Sequence, residues 1–323
     1  ILISNDFTML LDENGSPING EAVGEVRFKS DDTTAEAHRA TFDAVNPAEQ
    51  IVLHATARRR ARLARGRSRI AAERITTNAR GTHLAADGRV ESSLLAGEGV
   101  GSRRAGLFRN DEAIHFVSEH LEGDPSTNAL VFTGSVRGWQ GDRNLAADRV
   151  EVDQTQDRLD AAGNVMTRLP RVENVTRSSG DFIQVGSERL RYRGLEGEAV
   201  FEGDVRVRFL EGWLDSETLD VTLTERDRAV EEILASGEVR FEFASPGSGT
   251  GDSPVTGEGD RVRYLPAERT VTLYGDQAPA VVRRQNIEGG VTRGRVLRYH
   301  LDTGDLAVES GDRDRATIQT ANP

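Results

Sequence analysis

The chain contains no cysteine, so disulfides, thiolate nucleophiles and thiolate metal sites are excluded together. No window approaches 18 uninterrupted apolar residues, the minimum for a membrane-spanning helix. A glycine loop of the phosphate-cradling kind is also missing, because Gly97-Glu98-Gly99 lacks the strand-then-helix setting that such a loop needs. Positive charge is in deficit: Lys and Arg number 41 against 53 Asp and Glu, a net charge of −12. That balance argues against a broad nucleic-acid surface and predicts a soluble, self-repelling exterior. The sequence opens Ile1-Leu2-Ile3-Ser4 without a methionine or a basic leader, which reads as a processed form whose signal or membrane anchor stood upstream.

What is present is a recurring phrase. It reads Gly24-Glu25-Val26-Arg27-Phe28, Gly134-Ser135-Val136-Arg137, Gly163-Asn164-Val165-Met166, Gly203-Asp204-Val205-Arg206-Val207 and Gly237-Glu238-Val239-Arg240-Phe241. Glycine followed by a short polar residue supplies a turn with positive φ, and the alternation that follows puts apolar side chains on one face and charges on the other. From Gly134 onward the phrases stand roughly 30 to 45 residues apart, the spacing of stacked supersecondary units. Each unit has two further phrases, exemplified by Leu145 to Val152, Leu214 to Val221 and Gly259 to Tyr264, then by Asp157 to Ala161 and Glu268 to Tyr274. Three short strands per unit, joined by turns, is the expectation.

Helix signals are few. Asn46 to Gln50 could form one turn, and Ala55 to Ile75 is rich in Ala and Arg. In the repeat frame, however, Ser68 to Ile75 lines up with Leu145 to Val152 and reads as a strand. Ala244 to Pro254 reads as a surface insertion between two units, and Gly97 to Arg109, where the alternation breaks, as a boundary between segments 1–110 and 111–323.

The run from Ala113 to Glu122, followed by Gly134-Ser135-Val136-Arg137-Gly138-Trp139-Gln140-Gly141 and Leu145-Ala146-Ala147-Asp148-Arg149-Val150, resembles the OstA-like (LptA) family of periplasmic lipopolysaccharide-transport proteins. The likeness continues to Ser310, with Ser135 where the family prefers Asn and Gly163-Asn164-Val165 restoring it. Residues 1–95 are similar to a degraded version, LptC-like or further OstA-like repeats. The resemblance implies an all-β fold, an elongated open β-jelly-roll whose apolar interior groove shelters the acyl chains of lipopolysaccharide. It implies a non-catalytic periplasmic carrier without cofactor, which joins other jelly-roll components, or copies of itself head to tail, by edge-strand addition.

Strand parity nominates the lipid-binding lining: Val26, Phe28, Leu130, Phe132, Val150, Val152, Leu190, Tyr192, Val205, Val207, Phe209, Leu219, Val221, Leu223, Val239, Phe241, Phe243, Val262, Tyr264, Val271 and Leu273. The plain alternative is that these residues pack against one another. Arg58, Arg59, Arg60, Arg62, Arg65, Arg67 and Arg69 form one dense basic run, to be read either as a solvated strand face or as a dock for lipid phosphates. His115 and His120 lie an odd number apart and would face opposite ways on one strand, which argues against a shared metal. The series Asp148, Asp215 and Asp260 suggests a structural role. Two other function classes stay open: a structural or adhesin-like solenoid with a filled core, and a polysaccharide-acting β-helix enzyme, although no carboxylate pair stands out for the latter.

Overall fold

The computed structural model describes residues 1–30, 32–45, 50–78, 81–94, 112–124, 127, 129–170, 182–210, 212–224, 230–244, 254–284, 290–309 and 317–319. Among them the fold is all-β, and every strand pairing is antiparallel. The chain divides into two compact units, Ile1–Ala162 and Gly163–Pro323. The division falls within the strand Arg158–Pro170. The stretch expected as a boundary, Gly97 to Arg109, lies outside the described residues. So do most of the Asn46 to Gln50 turn and of the Ala244 to Pro254 insertion.

In the first unit, Pro17–Lys29 carries two short strands, Leu2–Ile3 and Asp6–Leu11, on one side and Thr33–Asp43 on the other. Thr33–Asp43 pairs with two half-length strands, Ile51–His54 and Ala61–Arg65. These lead through Arg74–Thr77 and Ser68–Ala72 to Leu84–Leu94. Ile114–Asp124, Ala129–Gln140 and Arg143–Asp153 continue the ladder. The segment weighed as a helix thus enters three strands; the repeat frame read Ser68 to Ile75 as one strand, and Glu73 divides it in two. Glu73 occupies the place that Asp148 takes in the later repeat, two residues off the alignment drawn from the sequence: each lies opposite a Gly-x pair.

In the second unit, Phe182–Arg193, Glu198–Arg208, Gly212–Leu223, Val230–Phe243 and Val255–Leu265 pair in sequence order. The last of these then divides its partners. Arg261 to Leu265 pair with Thr270–Tyr274, and Val255 to Glu258 pair with Ala280–Arg284. Each branch continues separately, through Val296–His300 to Leu306–Glu309 and through Gly290–Gly294 to Thr317–Gln319.

The Gly-x phrase is not the turn that the sequence suggested. It sits in the middle of strands of 11 to 14 residues, such as Pro17–Lys29, Glu198–Arg208 and Val230–Phe243. Register shifts bracket it in each case, between Val23 and Val26, Glu202 and Val205, and Ser236 and Val239. Both residues are left-handed: Gly24, Gly134, Gly163, Gly203 and Gly237 have φ of 76–82°, and the residues after them 42–50°. Two successive positive φ values suit a tight hairpin or a bulge equally. What separates them is that apolar alternation runs through the bulge, from Leu130 and Phe132 to Val136, so the strand bends without ending. Gly88-Arg89-Val90 is a sixth bulge of the same kind, and its phrase was legible in the sequence.

An acidic side chain lies over the bulges at Gly88, Gly134, Gly203 and Gly237, and Asn5 takes that place at Gly24. A Cβ at Gly134, Gly203 or Gly237 would come within 2.7, 2.7 and 2.5 Å of a carboxylate oxygen of Glu119, Glu188 or Glu217. The preceding serines, Ser118, Ser187 and Ser216, each donate a hydroxyl hydrogen bond of 2.9 Å to the carbonyl two residues on. This Ser-Glu pair, opposite Gly-x, is the repeat's second half. The acidic series read from the sequence needs one correction. Asp148 faces the Gly134-Ser135 bulge, and Glu217 and Asp260 flank Gly237-Glu238, whereas Asp215 stands in regular register with Arg206 and Arg240.

Bending at the bulges folds each sheet into two facing layers. In the first unit Phe116 stacks on Phe132, and in the second Phe209 meets Tyr264 edge-on at 5.1 Å, although neither pair is matched in the ladder. The core is the space between the layers.

Candidate functional site

The inward parity named in the sequence holds for nearly all the nominated residues. Nineteen of them are buried, including Leu130, Phe132, Val150, Val152, Leu190, Tyr192, Val205, Val207, Leu219, Val221 and Leu223. Val239, Phe241, Phe243, Val262, Tyr264, Val271 and Leu273 are fully enclosed, at 2% exposure or less. Phe209 is half-buried over Phe243 and Tyr264. Glycines admit the largest rings: a Cβ at Gly257 would meet Phe241 at 2.3 Å, and one at Gly138 would meet Phe116 at 2.7 Å. Around these residues the interior is filled by the protein's own side chains.

The first unit is different near its first strands. A cavity of about 500 Å³ opens between the two layers, within the range of ligand pockets. Of the nominated residues, Val26 and Phe28 line it. Val26 is buried, whereas Phe28 is 40% exposed and stands opposite Leu2 in the ladder. The remaining apolar wall comes from Leu2, Phe7, Met9, Phe42, Ile51, Leu53, Leu63 and Leu84, with Ala22, Ala35, Ala37 and Ala40 between them. These alanines are what leave the space. In the second unit the places of Ala22, Ala35 and Ala40 are taken on Glu198–Arg208 and Gly212–Leu223 by Phe201, Leu214 and Leu219, and that of Ala37 by Ser216, while Phe209 and Tyr264 meet across the interior.

The cavity has a polar lip. Arg65 Nε donates to Asp32 Oδ2 at 3.1 Å, and the Thr33 hydroxyl donates to Asp32 Oδ1 at 2.9 Å. These two donors, the hydroxyl first, hold the Asp32 carboxyl below the usual aspartate range. On the facing layer Asn78 and Gly81 complete the lip. Gly81 N–H donates to the Asn78 carbonyl at 3.0 Å, and Thr82 N–H to the Asn78 side chain at 2.9 Å.

The basic run is mostly engaged on the strand faces. Arg59 and Arg62 pair with Glu36 at 3.3 and 3.9 Å, Arg60 with Glu91 at 2.6 Å, and Arg65 with Asp32. Arg58, Arg67 and Arg69 are exposed. The two histidines have separate partners: His115 stacks on Trp139 at 5.4 Å, and His120 Nδ1 lies 2.6 Å from Asp87 Oδ1. No group of three or more His, Asp or Glu suited to a metal occurs among the described residues. Among the described residues no helix is long and apolar enough to cross a membrane.

None of the curated proteins matches the chain. Among solved structures, one that is similar is LptH of Pseudomonas aeruginosa, described as the LptA-homologous periplasmic component of a lipopolysaccharide transport device. The two share 18% identity over 43% of this chain and 95% of that one, with a TM-score of 0.37. The family whose pattern matches, described as LptA/(LptD N-terminal domain) LPS transport protein, covers residues 115–184 and 184–305. Those two stretches span more than half of the sequence, so the chain belongs to the LptA and LptD N-terminal domain family of lipopolysaccharide-transport proteins.

Proposed function

We propose that the protein is a non-catalytic periplasmic carrier that shelters acyl chains of lipopolysaccharide between its two β-layers, and that the cavity of the first unit is where a chain is held. The observation that carries this reading is the apolar space of about 500 Å³ beside Val26 and Phe28, lined also by Phe7 and Phe42. Each sheltered methylene contributes about 0.8 kcal/mol, so ten of them supply about 8 kcal/mol of gross transfer free energy. That is of the same order as the association cost, so several chains or additional contacts set the net affinity.

Edge strands supply the partners. Asp6–Leu11 pairs on one side only among the described residues, with Phe7, Met9, Leu10 and Leu11 exposed. Leu306–Glu309 is a second such edge. Strand addition at these edges would join the chain to other jelly-roll components or to its own copies. The packed interior of the second unit favours a second reading for that unit alone, a rigid scaffold.

Photo-crosslinking to lipopolysaccharide with a probe at Phe28, Phe241 or the outward Arg240 tests the proposal. Capture at Phe28 and not at Arg240 is expected, and capture at Phe241 would show that the second unit shelters a chain as well. Absence of labelling at Phe28 and Phe241 in folded protein would leave the scaffold reading for the whole chain.

A further inference from the structure

Resting on that reading of the cavity, we infer that Arg65 is the contact for the anionic headgroup of the bound lipid, and that its ion pair with Asp32 is a latch that exchanges carboxylate for lipid phosphate. Arg65 and Asp32 both line the cavity; among the described residues they are the one cation and one of the two carboxylates that do so. Arg65 closes the half-strand Ala61–Arg65 at the tip of one layer. Its guanidinium nevertheless reaches Gly81 on the opposite layer, since a Cβ there would stand 3.5 Å from Arg65 Nη1. The pair therefore lies across the opening through which an amphiphile lowers its chains, where a headgroup stops.

The geometry suits exchange. Both side chains of the pair are half-exposed, at 50% and 59%, so the pair is weak in water and cheap to open. A guanidinium fork matches phosphate oxygens in the same bidentate way as it matches a carboxylate, and a phosphate brings more charge. Asp32 keeps the Thr33 hydroxyl and its own backbone contact to Gly66 N–H at 2.9 Å, so it retains partners when Arg65 leaves. Arg67 and Arg69 follow on the adjoining turn and strand, both exposed, and bias the tip toward an anion. A free phosphate would gain the Arg65 contact but nothing from the apolar wall, so the source is the lipid headgroup.

The test compares binding of lipopolysaccharide and of its fully dephosphorylated form by the full chain, by R65Q and by D32N, with thermal melts to confirm folding. Wild type is expected to prefer the phosphorylated lipid by about tenfold. R65Q should lose that preference while keeping its affinity for the dephosphorylated lipid, and D32N should bind the phosphorylated lipid more tightly. Equal weakening of both lipids by R65Q, or no effect on either, would overturn the inference while leaving the cavity reading in place. Competition by millimolar inorganic phosphate as effective as by lipid would overturn the lipid source. Failure of wild type to bind either lipid would overturn the cavity reading and this one with it.

Discussion

The rings of Phe116 and Phe132 stack with centroids 4.5 Å apart and planes inclined by 19°. Their ladder partners place them far from each other: Phe116 faces Gly138 and Phe132 faces Leu121. On a flat sheet the six residues from Gly138 back to Phe132 would separate the rings by about 20 Å, at about 3.4 Å per residue. The strand therefore folds over at Gly134-Ser135, and the two rings meet from facing layers. This contact clamps the layers of the first unit. Phe116→Ala should cost about 3–5 kcal/mol in urea unfolding, and Gly138→Ala, which drives a methyl into Phe116, about 1–3 kcal/mol. A cost under 1 kcal/mol for Phe116→Ala would mean that the layers are held apart from this stack.

The left-handed glycines, in bulges and in turns, divide into crowded and open positions. Gly237 combines φ of +82° with a carboxylate oxygen of Glu217 at 2.5 Å from a new Cβ, whereas Gly66 has φ of +55° and open space around it. Gly66→Ala should cost about 1 kcal/mol, the left-handed penalty alone. Gly237→Ala should cost at least 1 kcal/mol more, and the double substitution with Glu217→Ala should recover part of the difference. Equal losses at the two glycines would show that backbone conformation alone sets the requirement.

His54 is paired in register with Arg39 on one side and Arg74 on the other. Burial first, then Arg39 and Arg74, depress its imidazole below the ordinary histidine value, with Glu21 opposing. The folded state thus takes up a proton less readily than the unfolded chain. The stability this contributes is complete above about 6.5 and is lost as pH falls below it. Chemical denaturation from pH 8 to pH 5 should show a steeper decline for wild type than for His54→Gln. Parallel curves would count against the depression.

Edge pairing predicts concentration-dependent self-association. A proline inserted within Leu306–Glu309 removes a ladder donor and should reduce it, with the melting temperature changing little. Sedimentation at rising concentration gives the answer, and a strict monomer for the unaltered protein would refute the proposal.

Much of this architecture was legible in the sequence because apolar alternation with a period of two is a local property. Val239, Phe241 and Phe243 read inward on paper and are enclosed. The bend was not legible. Gly237-Glu238 has the composition of a hairpin turn, and only pairing on both sides of it, to Gly212–Leu223 and Val255–Leu265, makes it a bulge. The cavity was half legible. Val26 and Phe28 follow from parity, but its volume comes from Ala22, Ala35, Ala37 and Ala40, on strands brought together by long-range pairing. The run of alanines at positions 35, 37 and 40 of one strand, facing Ala22 on the next, was the available signal. Arg65 was visible only as one member of a basic run, and its place at the lip depends on Gly81 of the facing layer.

The most direct test of the carrier account fills the cavity. Ala40→Phe projects a ring into the space beside Leu53, and lipopolysaccharide affinity is measured with Arg240→Phe on the outer face as control. At a melting temperature close to that of wild type, the account predicts at least a tenfold loss for Ala40→Phe and none for Arg240→Phe. Unchanged affinity in folded Ala40→Phe would contradict it.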